Sequence, residues 1–410
     1  MSLIRSLVAG AVVALTATAA YAECEIASGN VNVLANDFPA LKAITSTAAE
    51  CASGDVTIAA NHNKDFRTFH VQALTPNPAE YTSVVVANSS IVPLLNEGLL
   101  RPLDDLVAKH GQSLGKNQLI TIDGKIMAIA FMANAQHLFL RQDILDEVGK
   151  SAPTTWEEVV EAGKAIRDAG IMDHPFAFLS KSDWNLGEEF VNMYLGHGGE
   201  FFKPGTAEPA VNNETGIATL NMLKELVSLS NPDFLTYNTA TVVPIWKSGD
   251  LAMAQLWGSS GGEILSGEGA EEGVAENTVL VGAPTVAGGD APSSTLWWDG
   301  FTIAKNISDE DAEATFIAMM HGISDKMVEA NNDAAVWLMS SYTPGPAAMG
   351  VAQTASGGAS PYPMLPYMGL LHQAFFEELP DFLQGNESAE KTMSDVEAAY
   401  IAAAKEAGYL

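Results

Sequence analysis

Between residues 31 and 100, short β-branched runs alternate with helical periods, and that alternation leaves the chain few architectures. VNVLA (31–35), DVTIAA (55–60) and the buried run YTSVVVANSS (81–90), which leads into a loop, read as strands. FPALKAITSTAAE (38–50) and VPLLNEGLL (92–100) read as helices. Such alternation argues for β-α units and a parallel sheet, so the predicted class is α/β. GKIMAIAFMANAQHLFLRQDIL (124–145) holds two extended pieces around Ala133-Asn134 and then a helix. TTWEEVVEAGKAIRDAG opens with Thr154 and Glu157 as a capping box, keeps helical spacing through Trp156, Val159, Val160, Gly163 and Ile166, and stops at Gly170. Helices are also expected over 213–229, 308–323 and 387–408, with an acidic, glycine-rich surface loop at 267–277.

The first 22 residues carry Arg5, an uncharged stretch from Ser6 to Ala20, and a small-x-small ending at Ala20-Tyr21-Ala22. This pattern predicts a secretory signal peptide, a mature chain starting at Glu23, and a periplasmic location. Glu23 before Cys24 argues against a lipid anchor. Export puts Cys24 and Cys51 in an oxidising compartment, and a strand-helix pair between them returns the second sulfur toward the first, so a disulfide is expected. Removing 22 of the 410 residues leaves 388, which predicts two domains. A formal charge of −30, or −31 without Arg5, opposes nucleic acid and anionic membranes as partners.

One segment poses a question. SSTLWWDGFTIAK (293–305) places two tryptophans and an aspartate where a strand begins, although neighbours on a strand face opposite ways. One ring can enter a core; the other needs a second explanation.

The order of segments resembles one family over nearly the whole chain. VVVANSSIVPLLNEGLLRPLDDL, IDGKIMAIAFMANAQHLFLRQDILDEVGKSAPTTWEEVVEAGKAI, IWKSGDLAMAQLW and TLWWDGFTIAKNISDEDAEATFIAMM are similar, in that order, to successive motifs of bacterial extracellular solute-binding proteins of family 1, the carbohydrate-binding group that includes maltose-binding proteins. The resemblance implies a type II clamshell of two α/β lobes joined by three crossings, which capture a ligand and pass it to the permease of an ABC-type importer. The crossings are expected near 131–134, 280–284 and 322–326. Lobe one would then comprise 23–131 with 285–323, and lobe two 134–280 with 327–410. The implied protein is a monomer with no cofactor, no metal and no catalysis.

A sugar or polyol presents apolar C–H faces that pack on aromatic rings and hydroxyls that need donors and acceptors. On that chemistry, one ring of the tryptophan pair packs inward, while Trp298, with Asp299, faces the cleft. Relatives carry paired glycines there, so this chain departs from the common pattern. By the resemblance, Trp184 holds a stacking position, Trp257 the cleft edge, and His372 a position that is aromatic in maltose-binding relatives. Polar candidates are Asp37, Asn61, His62, Asp65, Asn88 and Ser89 after the first three strands, Asn134 at the crossover, and Tyr342. Trp156, Trp246 and Trp337 are expected in cores. Lys64 and Arg67 would clamp a sugar acid, the alternative ligand class.

Enzyme readings find little support. GSSGG (258–262) satisfies G-x-S-x-G around Ser260, but no long helix follows it, and His321 and His372 stand isolated. Paired carboxylates carry no signal among 50 acidic residues. No HExxH, CxxC or phosphate loop is present.

Overall fold

A computed structural model describes residues 24–410. The expected signal peptide and the start at Glu23 lie outside the described residues. Among the described residues, twelve strands form two sheets. The strands are β1 (Gly29–Ala35), β2 (Val56–His62), β3 (Ser83–Ala87), β4 (Leu119–Ile122), β5 (Lys125–Asn134), β6 (Gln136–Arg141), β7 (Phe176–Ala177), β8 (Met253–Trp257), β9 (Thr278–Val281), β10 (Thr295–Phe301), β11 (Val336–Trp337) and β12 (Ser360–Pro361). The first sheet runs β11-β5-β10-β3-β1-β2, with β4 on β5 and β12 on β10; the second runs β7-β8-β6-β9.

The β-α alternation at the start of the chain yields the parallel part of the first sheet, β2, β1 and β3. The rest is not parallel: β10 lies antiparallel between β3 and β5. Period-two alternation serves both faces. Val31, Val33, Val85, Ile129 and Phe301 enter one apolar cluster, and Leu34, Val84, Val86 and Ala128 enter another. The second sheet is embedded in the largest core, which takes in Trp156 and Trp246 as expected. Trp337 is buried as well, in the core of the first sheet. Cys24 and Cys51 form a disulfide with Cα atoms 5.3 Å apart.

Some local boundaries shift. The capping box lies one residue later than the sequence suggested: Thr155 Oγ1 accepts from Glu158 N, and Glu158 returns to the backbone N–H groups of Thr154 and Thr155. The helix after β3 starts at once, over Asn88–Asn96, instead of after a loop.

The chain passes between the sheets at 134–136, where β5 ends and β6 begins. The other two passages fall later than expected. Thr285 bridges Thr155 and Val286 lies in the core of the second sheet, so 285–294 belongs with that sheet until β10 starts. Helix Asp325–Ala330 packs on helix Pro39–Ala48, and β11 pairs with β5, so this stretch stays with the first sheet instead of joining lobe two. The chain reaches the second sheet again only at helix Met349–Ser356, which packs on β6 and β9.

Candidate ligand-binding site

The first passage is where the rings gather. In register, Trp297 of β10 lies opposite Asn134 of β5, and Trp257 of β8 lies opposite Gln136 of β6. The strands of both sheets thus deliver an indole to the same short connection. A third indole comes from Trp184, the first residue of helix Trp184–Gly196, whose N-cap Asp183 accepts from Asn185 N. Trp184 and Trp257 lie nearly parallel with centroids 6.4 Å apart. Trp297 meets both edge-on, at 5.4 and 5.8 Å.

His372 and Tyr362 back the cluster. His372 stacks on Trp184 at 5.0 Å, and its Nε2 donates to the Trp184 carbonyl. Nε2 therefore carries the proton, and Nδ1 accepts from the Tyr362 hydroxyl at 2.9 Å. Burial lowers the His372 pKa to about 4, so the ring is neutral at physiological pH. The packing depends on Gly187, where a Cβ would come within 2.5 Å of the His372 ring.

Below the rings lies a buried polar network. Glu188 Oε1 accepts from Thr295 Oγ1 at 2.5 Å and from Trp297 Nε1 at 3.0 Å. Asn192 and Gln255 both donate to Gln136 Oε1. Burial pushes the Glu188 carboxyl up to about 8, against the pull of those hydrogen bonds and of Arg67. Its neighbour Glu189 is also raised, first by burial and then by Glu188.

Arg67 reaches in from the 3-10 turn Phe66–Thr68 that follows β2. Its guanidinium centre lies 4.5 Å over the Trp184 ring, and Nη1 donates to Ser89 Oγ at 3.0 Å. Burial pulls its pKa down, while Asp299, Tyr362 and Glu188 act the other way. Burial raises Asp299 to about 7, and Arg67 opposes that rise.

Of the residues singled out in the sequence, Trp184, Trp257 and His372 come together, with Asp299 and Ser89 linked to them through Arg67. Trp298 does not join them. It packs on the apolar cluster containing Leu34, Phe66 and Leu94, and Trp297 takes the place expected for it among the rings. The pair divides as strand alternation requires, with the Trp297 ring buried and the Trp298 ring half-buried. Asn88 is buried with its side chain spent on β10, donating to Leu296 O and accepting from Trp298 N. Asn134 staples the passage: its Oδ1 accepts from Ala135 N and Ser259 N, and its Nδ2 donates to Ser259 Oγ.

The remaining candidates make contacts elsewhere. Asp37 pairs with Lys42 at 2.5 Å, and Phe38, not Asp37, occupies the cap position of the following helix. Asn61 donates to Tyr81, and the His62 ring lies between Thr45 Oγ1 and Asn36 O. The Asp65 carbonyl accepts from Thr68, while its side chain is exposed. Tyr342 packs on the core of the first sheet, where burial raises its pKa to about 12. Lys64 is exposed and acts on Asp37, so only Arg67 of the proposed clamp reaches the rings. Ser260 is buried, bonded to no histidine among the described residues, and followed by a helix of only five residues.

Sequence reasoning missed Trp297, Tyr362 and Glu188. Trp297 was reachable, since it lies two residues from Asp299 and shares its face. Tyr362 arrives only because β12 pairs with β10, which no local pattern announces.

Residues 49–322 match the family of bacterial extracellular solute-binding proteins, and the chain belongs to that family. A probable ABC transporter-binding protein of Deinococcus radiodurans is 24% identical over 208 residues, a match covering 49% of this chain and 47% of that protein, so this chain spans about half the length of the relative. An ABC transporter solute-binding protein of Agrobacterium radiobacter K84 in complex with ribitol superposes with a TM-score of 0.78 at 19% identity, over 90% of this chain and 97% of that one. Maltose-bound MalE3 of T. maritima gives 0.77 at 16%, over 92% and 100%. The fold is thus that of the two-lobed binding proteins. Among the described residues, no helix is long and apolar enough to cross a membrane.

Proposed function

We propose that the protein is the periplasmic substrate-binding component of an ABC-type importer. It captures one neutral sugar or polyol between its lobes and delivers it to a membrane permease. It acts as a monomer and performs no chemistry on the ligand.

The observation that carries this reading is the convergence of Trp184, Trp257 and Trp297 at the passage between the sheets, with Arg67 and Asp299 beside them. Indole faces take the C–H surface of a polyhydroxylated ligand, and the charged pair takes its hydroxyls. Solved relatives of the same fold hold ribitol and maltose, which have that surface in common. Hydrogen bonds to charged groups contribute about 1.5–3 kcal/mol each. Two or three of them with a packed ring reach the roughly −8 kcal/mol of micromolar affinity. A ligand touching both lobes closes them, because only differential affinity shifts the open–closed balance.

The test is thermal unfolding of the purified protein against sugars, sugar alcohols and sugar acids. A rise in Tm with one neutral compound supports the reading. Release of product from a glycoside or ester would overturn it in favour of an enzyme.

A further inference from the structure

The site contains an unmatched donor and an unmatched acceptor, both charged. Arg67 has five N–H groups, and only Nη1 has a hydrogen-bond partner among the described residues, Ser89 Oγ. Asp299 accepts no hydrogen bond from any described residue and is half-buried. Asp299 lies opposite Ala87 of β3, two residues before the Ser89 that Arg67 reaches, yet no ion pair joins Arg67 and Asp299 among the described residues. Their elements hold them in place: Arg67 sits in a turn and is packed over Trp184, and Asp299 sits on β10, two residues from Trp297 and on the same face. Two half-buried groups of opposite charge held near one another without contact leave a donor and an acceptor open to a ligand, and a group between them would meet both.

We propose that Arg67 and Asp299 act as one specificity-determining unit that selects an uncharged hydroxylated ligand. A hydroxyl between them donates its hydrogen to Asp299 and accepts from the Arg67 guanidinium, so both charges are satisfied by a neutral group. A carboxylate in the same position would suit Arg67 but meet Asp299 at close range, and like charges at that distance disfavour binding. This separates two readings that Arg67 alone leaves equal: an arginine by itself is a sugar-acid clamp, and Asp299 reverses that preference. The inference rests on the binding function proposed above and names the residues that set its preference for a neutral ligand.

The test is calorimetric titration of the intact protein at pH 8.5, where Asp299 is ionised, with three neutral–acidic pairs: ribitol and D-ribonate, D-mannitol and D-mannonate, maltose and maltobionate. The wild-type protein should bind one neutral member at least about tenfold more tightly than its acid. Asp299→Asn, which keeps shape and an acceptor, should weaken the neutral ligand roughly 10- to 100-fold and shrink or invert the preference. Arg67→Met should weaken both members, and Arg67→Lys should recover part of the loss. Near-UV circular dichroism confirms that each variant is folded. Wild-type preference for the acid, or neutral-ligand affinities within threefold of wild type in both Asp299→Asn and Arg67→Met, overturns the unit and leaves the binding function standing. A wild-type protein whose Tm is raised by none of the neutral sugars and sugar alcohols of the thermal panel overturns both.

Discussion

Glu188 offers a prediction whose sign and size both follow from where it sits. In the native protein, burial lifts its carboxyl from 4.5 to about 8, and the hydrogen bonds from Thr295 and Trp297 lower it without cancelling that rise. In the unfolded chain the same group ionises near the ordinary glutamate value. Between those two values the native state holds a proton that the unfolded state has lost, so stability falls as pH rises through the window. The penalty is absent below about pH 4.5 and complete above about pH 8. Each pH step inside the window costs about 1.4 kcal/mol, which makes the penalty about 3 kcal/mol at pH 7. Glu188→Gln removes it. The glutamine keeps an acceptor for Thr295 and Trp297, and its amide replaces Oε2, which has no hydrogen-bond partner among the described residues. Urea unfolding of both proteins from pH 5 to pH 8 should show the variant gaining about 3.5 kcal/mol on the wild type. Glu189 is present in both chains, so the part of its rise caused by burial cancels, and the smaller part caused by Glu188 adds to the gain of the variant. A difference that stays constant across this range would refute the reasoning, because it would mean that Glu188 is ionised throughout, held so by Arg67.

Other substitutions probe the scaffold around the site. Gly187→Ala places a Cβ within 2.5 Å of the His372 ring; overpacking of this kind costs about 1–3 kcal/mol and should weaken ligand binding together with stability, both read by calorimetry. Asn134→Ala removes three hydrogen bonds at the passage between the sheets; the two amide N–H donors left behind predict a loss of about 1–3 kcal/mol in urea unfolding. Replacing Cys24 and Cys51 by serine opens a bridge between residues 27 apart in sequence and should cost about 3–4 kcal/mol, with ligand affinity unchanged because the bridge belongs to the core of the first sheet and the rings pack on that of the second.

The opening strands were legible because their signal is local. β1, β2 and β3 are β-branched runs bounded by turn residues, and all three formed within three residues of expectation. Direction was less legible: β10 runs antiparallel because the chain returns from the second sheet, and no residue in it encodes that return. The passages illustrate the same limit. Residues 327–337 were expected in lobe two, and what assigns them to the first sheet is the pairing of Val336 and Trp337 with β5, a contact some 200 residues distant in sequence. The site divides along that line. Tryptophans at strand and helix ends were visible, since a large ring at the end of a strand is a poor fit to a core alone. Which face each ring takes depends on register. A bulge between Asp299 and Gly300 shifts β10 against β5, and Trp297, not Trp298, meets Trp184. Asn61, His62 and Asn88 have the right chemistry to hold hydroxyls, yet local partners already engage them. A sequence shows which groups are able to bond, but not which are already bonded.

The most direct measurement is a calorimetric titration of the wild-type protein and Trp257→Ala with the neutral compound that raises Tm most. Trp257 is half-buried and its indole makes no hydrogen bond among the described residues, so its removal takes away ring surface and little else. The account predicts one site per chain, micromolar or tighter, weakened at least about tenfold by the substitution. Unchanged affinity in Trp257→Ala would place the ligand elsewhere and contradict the site described above.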